Sequence, residues 1–365
     1  MASASSSSPY RIGILTSGGD CPGLNAVIRG AVCAAVQRGW EVLGFSDGYE
    51  GLLSPVRYRP LTVENTDGIT QLGGTILGTT NKGRFVAKVG LGQKAQIPAE
   101  IIGEAKETLE GLGIQALVCL GGDGSLTTSE QLFEAGIPTI GVPKTIDNDI
   151  SATAMTFGFD SAVECVTEAL DRLHTTARSH KRVMILEVMG RHAGWIALYG
   201  GLSGGADMIL IPEIPFSYDK IAKEIRERVG DGYDTTMIVV AEGAMPKDGS
   251  VSVRGEAKGE VRLGGIGQQL AVEIERRTGR ETRSMVLGHL QRGGAPTTVD
   301  RILGTRFGVG AVKLIEEKKF GYMVSYQNDE IGAVPISEAV GQIKKVPPAG
   351  QMVDAARAIG IVFGD

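Results

Sequence analysis

The sequence predicts an α/β protein in which mainly parallel sheets carry helices on both faces. Short apolar runs rich in β-branched residues alternate with stretches whose apolar residues recur at helical spacing, which is typical of parallel α/β folds. The length of 365 residues predicts about two domains of roughly 150 residues each. Glycine is abundant, at 53 residues, and has no collagen-like period, which indicates many turns where the backbone approaches a ligand.

In the first half of the chain, four short apolar runs predict buried strands. They are Arg11–Thr16, Glu41–Phe45, Ala116–Leu120 and Thr139–Val142. A helical pattern begins at Leu24 and is expected to stop at Gly39, and a second helix follows Pro98. A third helix follows the loop Gly121–Ser125, and we expect Ser125 to cap it.

The second half repeats this alternation. A helix is predicted from the spacing of Val163, Val166, Leu170 and Leu173. The predicted strands are Val183–Val188, Met208–Ile211, Met237–Ala241 and Arg283–Gly288. Polar clusters follow six of the predicted strands, and ligands of parallel sheets bind at the carboxyl ends of strands. We therefore expect a cleft at these ends, and a domain boundary near residues 149–159.

Composition and charge argue against several classes of function. The formal net charge of −5 argues against nucleic-acid binding. No apolar run reaches the roughly 18 residues that span a bilayer, so we expect no membrane partner. The Ser-rich residues 1–9 lack the features of a signal peptide and are expected to form a disordered tail. Four scattered cysteines indicate reduced thiols, which predicts a cytoplasmic protein.

Two glycine-rich loops lie between a predicted strand and a predicted helix. They are Gly18-Gly19-Asp20 and Gly121–Ser125. Glycines at such places let backbone N–H groups point at phosphate oxygens. A single loop of this kind is as easily a tight structural turn, but two loops that each contain an acid favour a polyphosphate ligand. Asp123 is then a candidate Mg²⁺ ligand.

The stretch Pro143–Asp149 crowds a lysine, a hydroxyl and three acidic or amide side chains at the end of a strand. Alternation of side chains would turn Asp147 and Asp149 the same way. Phosphoryl transfer requires a carboxylate near the acceptor hydroxyl and a second group that holds the metal. The alternative is an Asx-turn network that only closes the loop.

A set of cationic side chains lies at the starts and ends of predicted strands. It consists of Arg182, Arg191, Arg283, His289 and Arg292. Arginine matches the geometry of phosphate, so the set predicts a second phosphate-binding place. For any one of these arginines, a solvated or ion-paired surface position is the alternative.

The sequence resembles the 6-phosphofructokinase family, in its A-type bacterial subgroup with ATP-dependent and mixed-substrate members, from about Arg11 to about Arg306. Five motifs carry the resemblance, in family order: ILTSGGDCPGLNAVIRG, GGDGS, PKTIDND, EVMGRHAGW and ETRSMVLGHLQRGGAP. GGDGS alone would be weak, because NAD kinases and lipid kinases carry a similar string. The resemblance implies transfer of a phosphoryl group to the 1-hydroxyl of fructose 6-phosphate, with Mg²⁺, giving fructose 1,6-bisphosphate in glycolysis.

The resemblance also implies an architecture of two similar three-layer α/β/α domains with the active site in the cleft between them. Residues 1–158 with 291–344 would bind ATP and Mg²⁺, and residues 159–290 with 345–365 would bind fructose 6-phosphate. Arg182 and Arg283 would reach into the site of a neighbouring subunit. A homo-oligomer is therefore implied, at least a dimer and commonly a tetramer.

The resemblance assigns roles to individual residues. Asp147 would accept the hydroxyl proton, and Asp123 would hold Mg²⁺ with assistance from Asp149. Thr145, Gly19 and Arg191 complete the implied catalytic set. The implied phosphoryl-donor contacts are Gly19, Arg84, Phe85, Gly122, Asp123, Gly124 and Ser125. The implied sugar-phosphate contacts are Thr145, Ile146, Asp147, Arg182, Met189, Gly190, Arg191, Glu242, Arg283, His289, Leu290, Gln291 and Arg292.

Two positions bear on the phosphoryl donor. In the family, glycine at Gly124 leaves room for a nucleotide, whereas lysine at Lys144 is typical of pyrophosphate-dependent enzymes. We expect ATP, because an added lysine does not exclude ATP whereas a blocked adenosine site would. The alternatives are a pyrophosphate-dependent enzyme and a catalytically silent regulatory subunit, and an intact Asp147 argues against the silent subunit.

Two further regions depart from the family pattern. In the loop from Gly78 to Phe85, Arg84 with Phe85 is our choice for the donor-side pair, and Asn81 and Lys82 are alternatives for the arginine. At effector-site positions, Arg29 and Asp207 match the family. Cys33 and His174 replace arginines there, and lost cations weaken anion binding.

Overall fold

The computed structural model describes residues 9–80, 83–85, 88–89, 93–247, 249, 253–257 and 260–365. Residues 1–8 of the Ser-rich N-terminus, and the alternatives Asn81 and Lys82, lie outside the described residues. No helix among the residues described is both long and apolar enough to cross a membrane.

Strands and helices alternate along the described chain. The strands are β1 (Arg11–Thr16), β2 (Glu41–Phe45), β3 (Tyr58–Leu61), β4 (Lys88–Val89), β5 (Gln93–Lys94), β6 (Ala116–Gly121), β7 (Thr139–Pro143), β8 (Val183–Val188), β9 (Met208–Leu210), β10 (Thr236–Ala241), β11 (Val253–Ala257), β12 (Glu260–Leu263), β13 (Thr282–Val286), β14 (Tyr322–Gln327) and β15 (Glu330–Pro335). The helices are α1 (Leu24–Val36), α2 (Ala99–Gly111), α3 (Asp123–Glu134), α4 (Phe159–His180), α5 (Trp195–Ser203), α6 (Tyr218–Gly230), α7 (Ile266–Thr278), α8 (Thr298–Glu316), α9 (Ile336–Ala339) and α10 (Gln351–Ala358), with 3₁₀ turns at Gly48–Leu52 and Gly288–Arg292. The predicted α/β class with mainly parallel sheets is confirmed.

The chain divides into two compact units. The first comprises Met1–Thr145, Ile150–Gly158 and Gly293–Gln342, and the second comprises Ile146–Asp149, Phe159–Arg292 and Ile343–Asp365. The assignment of a phosphoryl-donor role and a sugar role to two domains stays a prediction.

The first unit contains a seven-stranded sheet in the order β15-β14-β7-β6-β1-β2-β3. The five inner strands are parallel, and β3 and β15 run antiparallel at the two edges. In β1, Ile12 and Ile14 on one face and Leu15 on the other are all fully buried, so both faces are covered. Leu15 packs with core residues of α2 and α3, whereas α1 and α8 pack on each other and against β2, β7 and β14.

Helices α1 and α8 cross at unusually close range. A Cβ on Gly30 would lie 2.5 Å from the carbonyl oxygen of Thr305, and one on Gly308 would collide with the carbonyl oxygen of Val27. Glycine is required at both positions because the two backbones touch there. The first and last thirds of the chain are thereby joined in one layer.

The second unit contains a four-stranded parallel sheet in the order β13-β8-β10-β9. Residues of α6 and α7 join the apolar side chains of β8, β9 and β10 in one core. Helices α4 and α5 pack on each other and also contact this sheet. Strands β11 and β12 form a separate antiparallel hairpin.

One predicted helix cap was wrong, and one predicted helix end is shifted by one residue. Helix α3 begins at Asp123 with Gly122 as its N-cap, so Ser125 lies in the first turn and does not cap the helix. Helix α1 ends at Val36, three residues before Gly39. At Gly39 the chain has φ +75° and turns toward β2. In both cases glycine adopts the terminal conformation that a sequence pattern locates only approximately.

Candidate active site

The two glycine-rich loops lie side by side in the first unit. Strands β1 and β6 are parallel neighbours, with Thr16 in register with Leu120. The next residue, Ser17, donates its N–H to the carbonyl of Leu120 at 2.9 Å. The chain leaves β1 toward β2 on one side, and β6 lies on the other side, so the loops occupy a topological switch point. This is where parallel sheets bind ligands. We call residues 17–20 and 121–125 the phosphate loops.

A buried lysine lies against the phosphate loops. Lys144 follows β7, is 4% exposed, and donates from its ammonium group to the carbonyl of Gly19. A Cβ built on Gly18 would lie 3.3 Å from Lys144 Nζ and 3.4 Å from Ser125 Oγ. The ammonium and the hydroxyl therefore lie beside the same glycine. With the N-terminal turn of α3, they form an environment that favours an anion.

The glycines of the second loop differ in the space around them. A side chain at Gly121 would collide with Ser125, whereas a Cβ on Gly124 would meet nothing within 4 Å. Gly121 is therefore required by packing inside the loop. Gly124 instead leaves open space in the first turn of α3.

Tyr49 donates a hydrogen bond to the second phosphate loop. It is 3% exposed and donates its hydroxyl hydrogen to the carbonyl of Ser125 at 2.8 Å. Burial holds the pKa of its phenol well above the usual value, so it remains a donor. Its ring lies 5.4 Å from the ring of Phe85, which is itself buried in the core.

Arg84 lies in an ion-paired position. Its Nε is 3.2 Å from Glu50 and its NH1 group is 3.8 Å from Glu104. Its backbone N–H also donates to Glu50. Contact of Arg84 and Phe85 with a phosphoryl donor stays a prediction.

Burial alternates along the segment that carries the candidate base. Lys144, Ile146, Asn148 and Ile150 are buried, whereas the partly exposed residues are Thr145, Asp147 and Asp149. Asn148 is not extended, because its φ is +51°. A left-handed residue therefore separates the two carboxylates, an arrangement that Asn tolerates better than most residues.

In the second unit, three strand ends come together. In the parallel register Val188 pairs with Ala241 and Glu187 pairs with Val286. The carboxyl ends of β8, β10 and β13 therefore lie next to each other. The residues that follow these ends include Met189, Gly190, Arg191, Glu242, His289, Leu290, Gln291 and Arg292. The Met189 N–H donates to Oε1 of Gln291 at 3.3 Å, and Gln291 is 1% exposed. Among the described residues, the buried Nε of Arg191 has no hydrogen-bond partner.

Arg182 and Arg283 lie at the opposite end of these strands, where the strands begin. Arg182 precedes β8, Arg283 is the second residue of β13, and both pair with Glu281, Arg182 at 2.7 Å. This contact lowers the pKa of the Glu281 carboxyl. Because each strand residue adds about 3.3 Å, the six residues of β8 separate its two ends by about 20 Å. Arg182 thus lies about one strand length from the residues that follow β8, and Arg283 lies near the start of β13 whereas His289 follows its end.

The two predicted effector positions both have polar partners in their own units. Arg29 donates to Thr66 Oγ1 at 3.0 Å. Asp207 pairs with Arg228 and accepts the Met237 N–H at 2.7 Å. Effector binding stays a prediction.

Sequence reasoning missed Tyr49, Glu281 and Lys344. Tyr49 and Glu281 are ordinary residues of a short turn and a strand start, and their role depends on a partner elsewhere in the chain. Lys344 donates to Asn148, 196 residues away, at 2.9 Å. Burial lowers the pKa of Lys344 to about 8, against an opposing effect of Asp149. No local pattern could have identified these partners.

Comparison with known proteins agrees with the motifs. The family model described as phosphofructokinase matches residues 11–315. An ATP-dependent 6-phosphofructokinase of Chloroflexus aggregans is 50% identical over 98% of this chain and 99% of its own length. A pyrophosphate--fructose 6-phosphate 1-phosphotransferase of Streptomyces coelicolor is 47% identical over 97% of this chain and 100% of its own length. The phosphofructokinase structure from Saccharomyces cerevisiae matches with a TM-score of 0.77 and 31% identity, over 91% of this chain and 45% of that one. The chain belongs to the phosphofructokinase family.

Proposed function

We propose that this protein transfers a phosphoryl group from ATP to the 1-hydroxyl of fructose 6-phosphate, giving fructose 1,6-bisphosphate and ADP. The observation that carries the proposal is the pair of phosphate loops at the switch point of the first sheet. Family membership, and 50% identity to an ATP-dependent 6-phosphofructokinase over nearly the whole chain, supply the reaction.

The first unit binds the donor phosphates through backbone groups. N–H groups of Gly19 and of residues 122–125 contact phosphate oxygens, since N–H groups in the first turn of a helix lack intrahelical partners. Lys144 adds a desolvated positive charge beside them. The open space at Gly124 accommodates the nucleoside part of ATP.

The second unit binds the sugar phosphate and supplies the base. Met189, Gly190, Arg191 and Glu242 contact the sugar, and His289 and Arg292 hold its 6-phosphate, with Ile146, Leu290 and Gln291 lining the place. Asp147 accepts the proton of the 1-hydroxyl while the oxygen of that hydroxyl attacks the γ-phosphorus of ATP. Thr145 orients the reacting groups. Arg191 stabilises negative charge on the transferring group, as its unpartnered Nε supports.

Magnesium fits the residues present. Among the described residues, no group of three or more His, Cys, Asp or Glu side chains could enclose a metal ion. Magnesium binds through one or two carboxylates and takes its other ligands from phosphate oxygens and water. Asp123, in the first turn of α3, and Asp149 suit that role. When bound, the ion neutralises charge on the donor phosphates.

The placement of Arg182 and Arg283 supports a shared site. Both lie near strand starts, whereas His289 follows a strand end, so they serve the 6-phosphate of a neighbouring copy. The active form is then a homo-oligomer, at least a dimer, with a tetramer as the family form. A cytoplasmic location suits a glycolytic enzyme whose four cysteines are reduced thiols.

Pyrophosphate is the second candidate donor. The buried Lys144 beside the phosphate loops favours it, and so does the relative from Streptomyces coelicolor with its pyrophosphate-dependent name. Gly124 favours ATP over pyrophosphate, because space in the first turn of α3 has no use when the donor lacks a nucleoside.

A coupled assay tests the proposal. Formation of fructose 1,6-bisphosphate is measured with fructose 6-phosphate, Mg²⁺ and either ATP or pyrophosphate. We expect kcat/KM for ATP to exceed that for pyrophosphate at least tenfold. The reverse ratio would assign the pyrophosphate reaction, and inactivity with both donors would favour a silent subunit.

A further inference from the structure

The segment 343–346 near the C-terminus ties two candidate active-site loops together within the second unit. The backbone N–H of Lys344 donates to the carbonyl of Asp149 at 2.8 Å. The carbonyl of Lys344 accepts the indole Nε1 hydrogen of Trp195 at 2.9 Å. Trp195 opens α5, four residues after Arg191. One residue thus bridges the loop of the candidate base and the loop of the candidate sugar contact.

The side chain of Lys344 adds a contact to the base loop. Its Nζ donates to Oδ1 of Asn148 at 2.9 Å and lies 5.9 Å from the ring centre of Trp195. Asn148 is buried and has a left-handed backbone conformation, with φ +51°. Asp147 and Asp149 are its direct chain neighbours. An ammonium that holds Asn148 therefore constrains the peptide planes on both sides.

A second contact keeps the segment in place. Oε1 of Glu213 accepts the Val346 N–H at 2.8 Å and the Gly194 N–H at 3.0 Å. Gly194 is the N-cap of α5, so the same carboxylate satisfies a free helix N–H and anchors the segment. Lys344 is held from both sides and does not depend on its own side chain for its location.

We propose that Lys344 is a positioning residue for phosphoryl transfer, which holds Asn148 and thereby orients the carboxylate of Asp147. The inference rests on the proposed function. Lys344 touches no reacting atom in this role; it acts through the backbone of the base loop. Misplacement of a catalytic group by about 1 Å can cost about 10²-fold in rate, so loss of this contact should appear in kcat.

The experiment compares Lys344→Met with four other variants in the steady-state assay, one of which is the conservative change Lys344→Arg. Asn148→Gly removes the acceptor but retains the left-handed conformation, since glycine populates positive φ freely. The double variant joins both changes. Lys345→Met is the matched control, because Lys345 is the exposed neighbour.

We expect Lys344→Met and Asn148→Gly each to lower kcat by about 10- to 100-fold, with KM for fructose 6-phosphate within about threefold. The kcat of the double variant should be no lower than that of the slower single variant, since both changes remove the contact between Lys344 and Asn148. Lys344→Arg should recover most of the lost kcat, and Lys345→Met should match the wild type.

Three results would overturn the inference. They are a kcat within twofold of wild type for Lys344→Met, a loss confined to KM, and a double variant whose loss is the product of the single losses. If Lys344→Met fails to fold, Asn148→Gly decides by the same kcat criterion. An inactive wild type would instead refute the proposed function, so the two failures are distinguishable.

Discussion

The phosphate loops of the first unit offer backbone N–H groups to a ligand, whereas the strand ends of the second unit offer side chains. In the first unit, neighbouring parallel strands bring backbone N–H groups of two glycine-rich loops together, and one buried lysine adds charge. In the second unit, the proposed sugar-phosphate contacts are side chains that follow the ends of three strands, and Arg182 and Arg283 lie near the starts of two of these strands. Under the proposed function the backbone site is complete in one chain, whereas the side-chain site takes Arg182 and Arg283 from a second copy.

The largest expected effect concerns the candidate base. Asp147→Asn should lower kcat on the order of 10³-fold, because the amide cannot accept the hydroxyl proton. KM for fructose 6-phosphate should stay within a few fold, since the 6-phosphate and most of the sugar contacts are assigned to other side chains. Steady-state kinetics measures both constants. Asp231→Asn, at the exposed end of α6, serves as the control, and undiminished turnover in Asp147→Asn would remove this residue from the base role.

The next effect tests whether the site is shared. Arg283→Ala should weaken fructose 6-phosphate binding about 10- to 100-fold, the usual cost of one charged hydrogen bond. When Arg283→Ala chains are mixed with Asp147→Asn chains and reassembled, the mixture should regain activity, because a hybrid contains one site with both residues intact. In random two-fold dimers, half are hybrids with one intact site of two, so recovery should reach about a quarter of wild type.

The unmixed variants serve as controls for this complementation. Absence of recovery, in hybrids that size and mass measurements prove to have formed, would mean that the sugar site is completed within one chain. The contrast between the two units would then disappear.

A smaller effect sharpens the role of open space in the first unit. Gly124→Asp should raise KM for ATP about 10-fold or more, because a carboxylate beside the phosphates repels them and fills space needed by the nucleoside. KM for fructose 6-phosphate should hardly change. A parallel pyrophosphate series distinguishes steric from charge effects, and unaltered ATP kinetics would show that the space at Gly124 is not used.

The smallest effect concerns the support under the phosphate loops. Tyr49→Phe removes the hydroxyl that donates to Ser125. We expect the free energy of unfolding to fall by about 1 kcal/mol, and KM for ATP to rise a few fold as the loop loosens. Denaturant titration measures the first and kinetics the second. Tyr58→Phe, at an exposed edge position, is the control, and equal behaviour of the two variants would contradict the support role.

Local patterns predicted the strands well where an apolar run ends at turn residues. The predicted bounds of β1, β2 and β8 coincide with those observed. The phosphate loops could be located for the same reason, since a glycine cluster after a strand is a local signal. Their adjacency follows only once β1 and β6 pair.

Non-local contacts could not be predicted. The contact of Lys344 with Asn148 spans 196 residues, and the pairing of Arg182 with Glu281 depends on the alignment of β8 with β13. Ser125 was misassigned as a cap because Ser, Asp and Gly all suit the start of a helix. The observed N-cap is Gly122, three residues before Ser125, and the helix begins at Asp123.

The crossing of α1 and α8 has a consequence for the order of folding during synthesis. Helix α1 leaves the ribosome about 260 residues before α8, a delay of roughly 10 to 50 s at ordinary elongation rates. Throughout that time its contact face at Gly30 has no partner to meet. The last strand of the four-stranded sheet, β13, emerges before α8, β14 and β15. Of the two larger sheets, the one that begins second is therefore the first to have all its strands outside the ribosome.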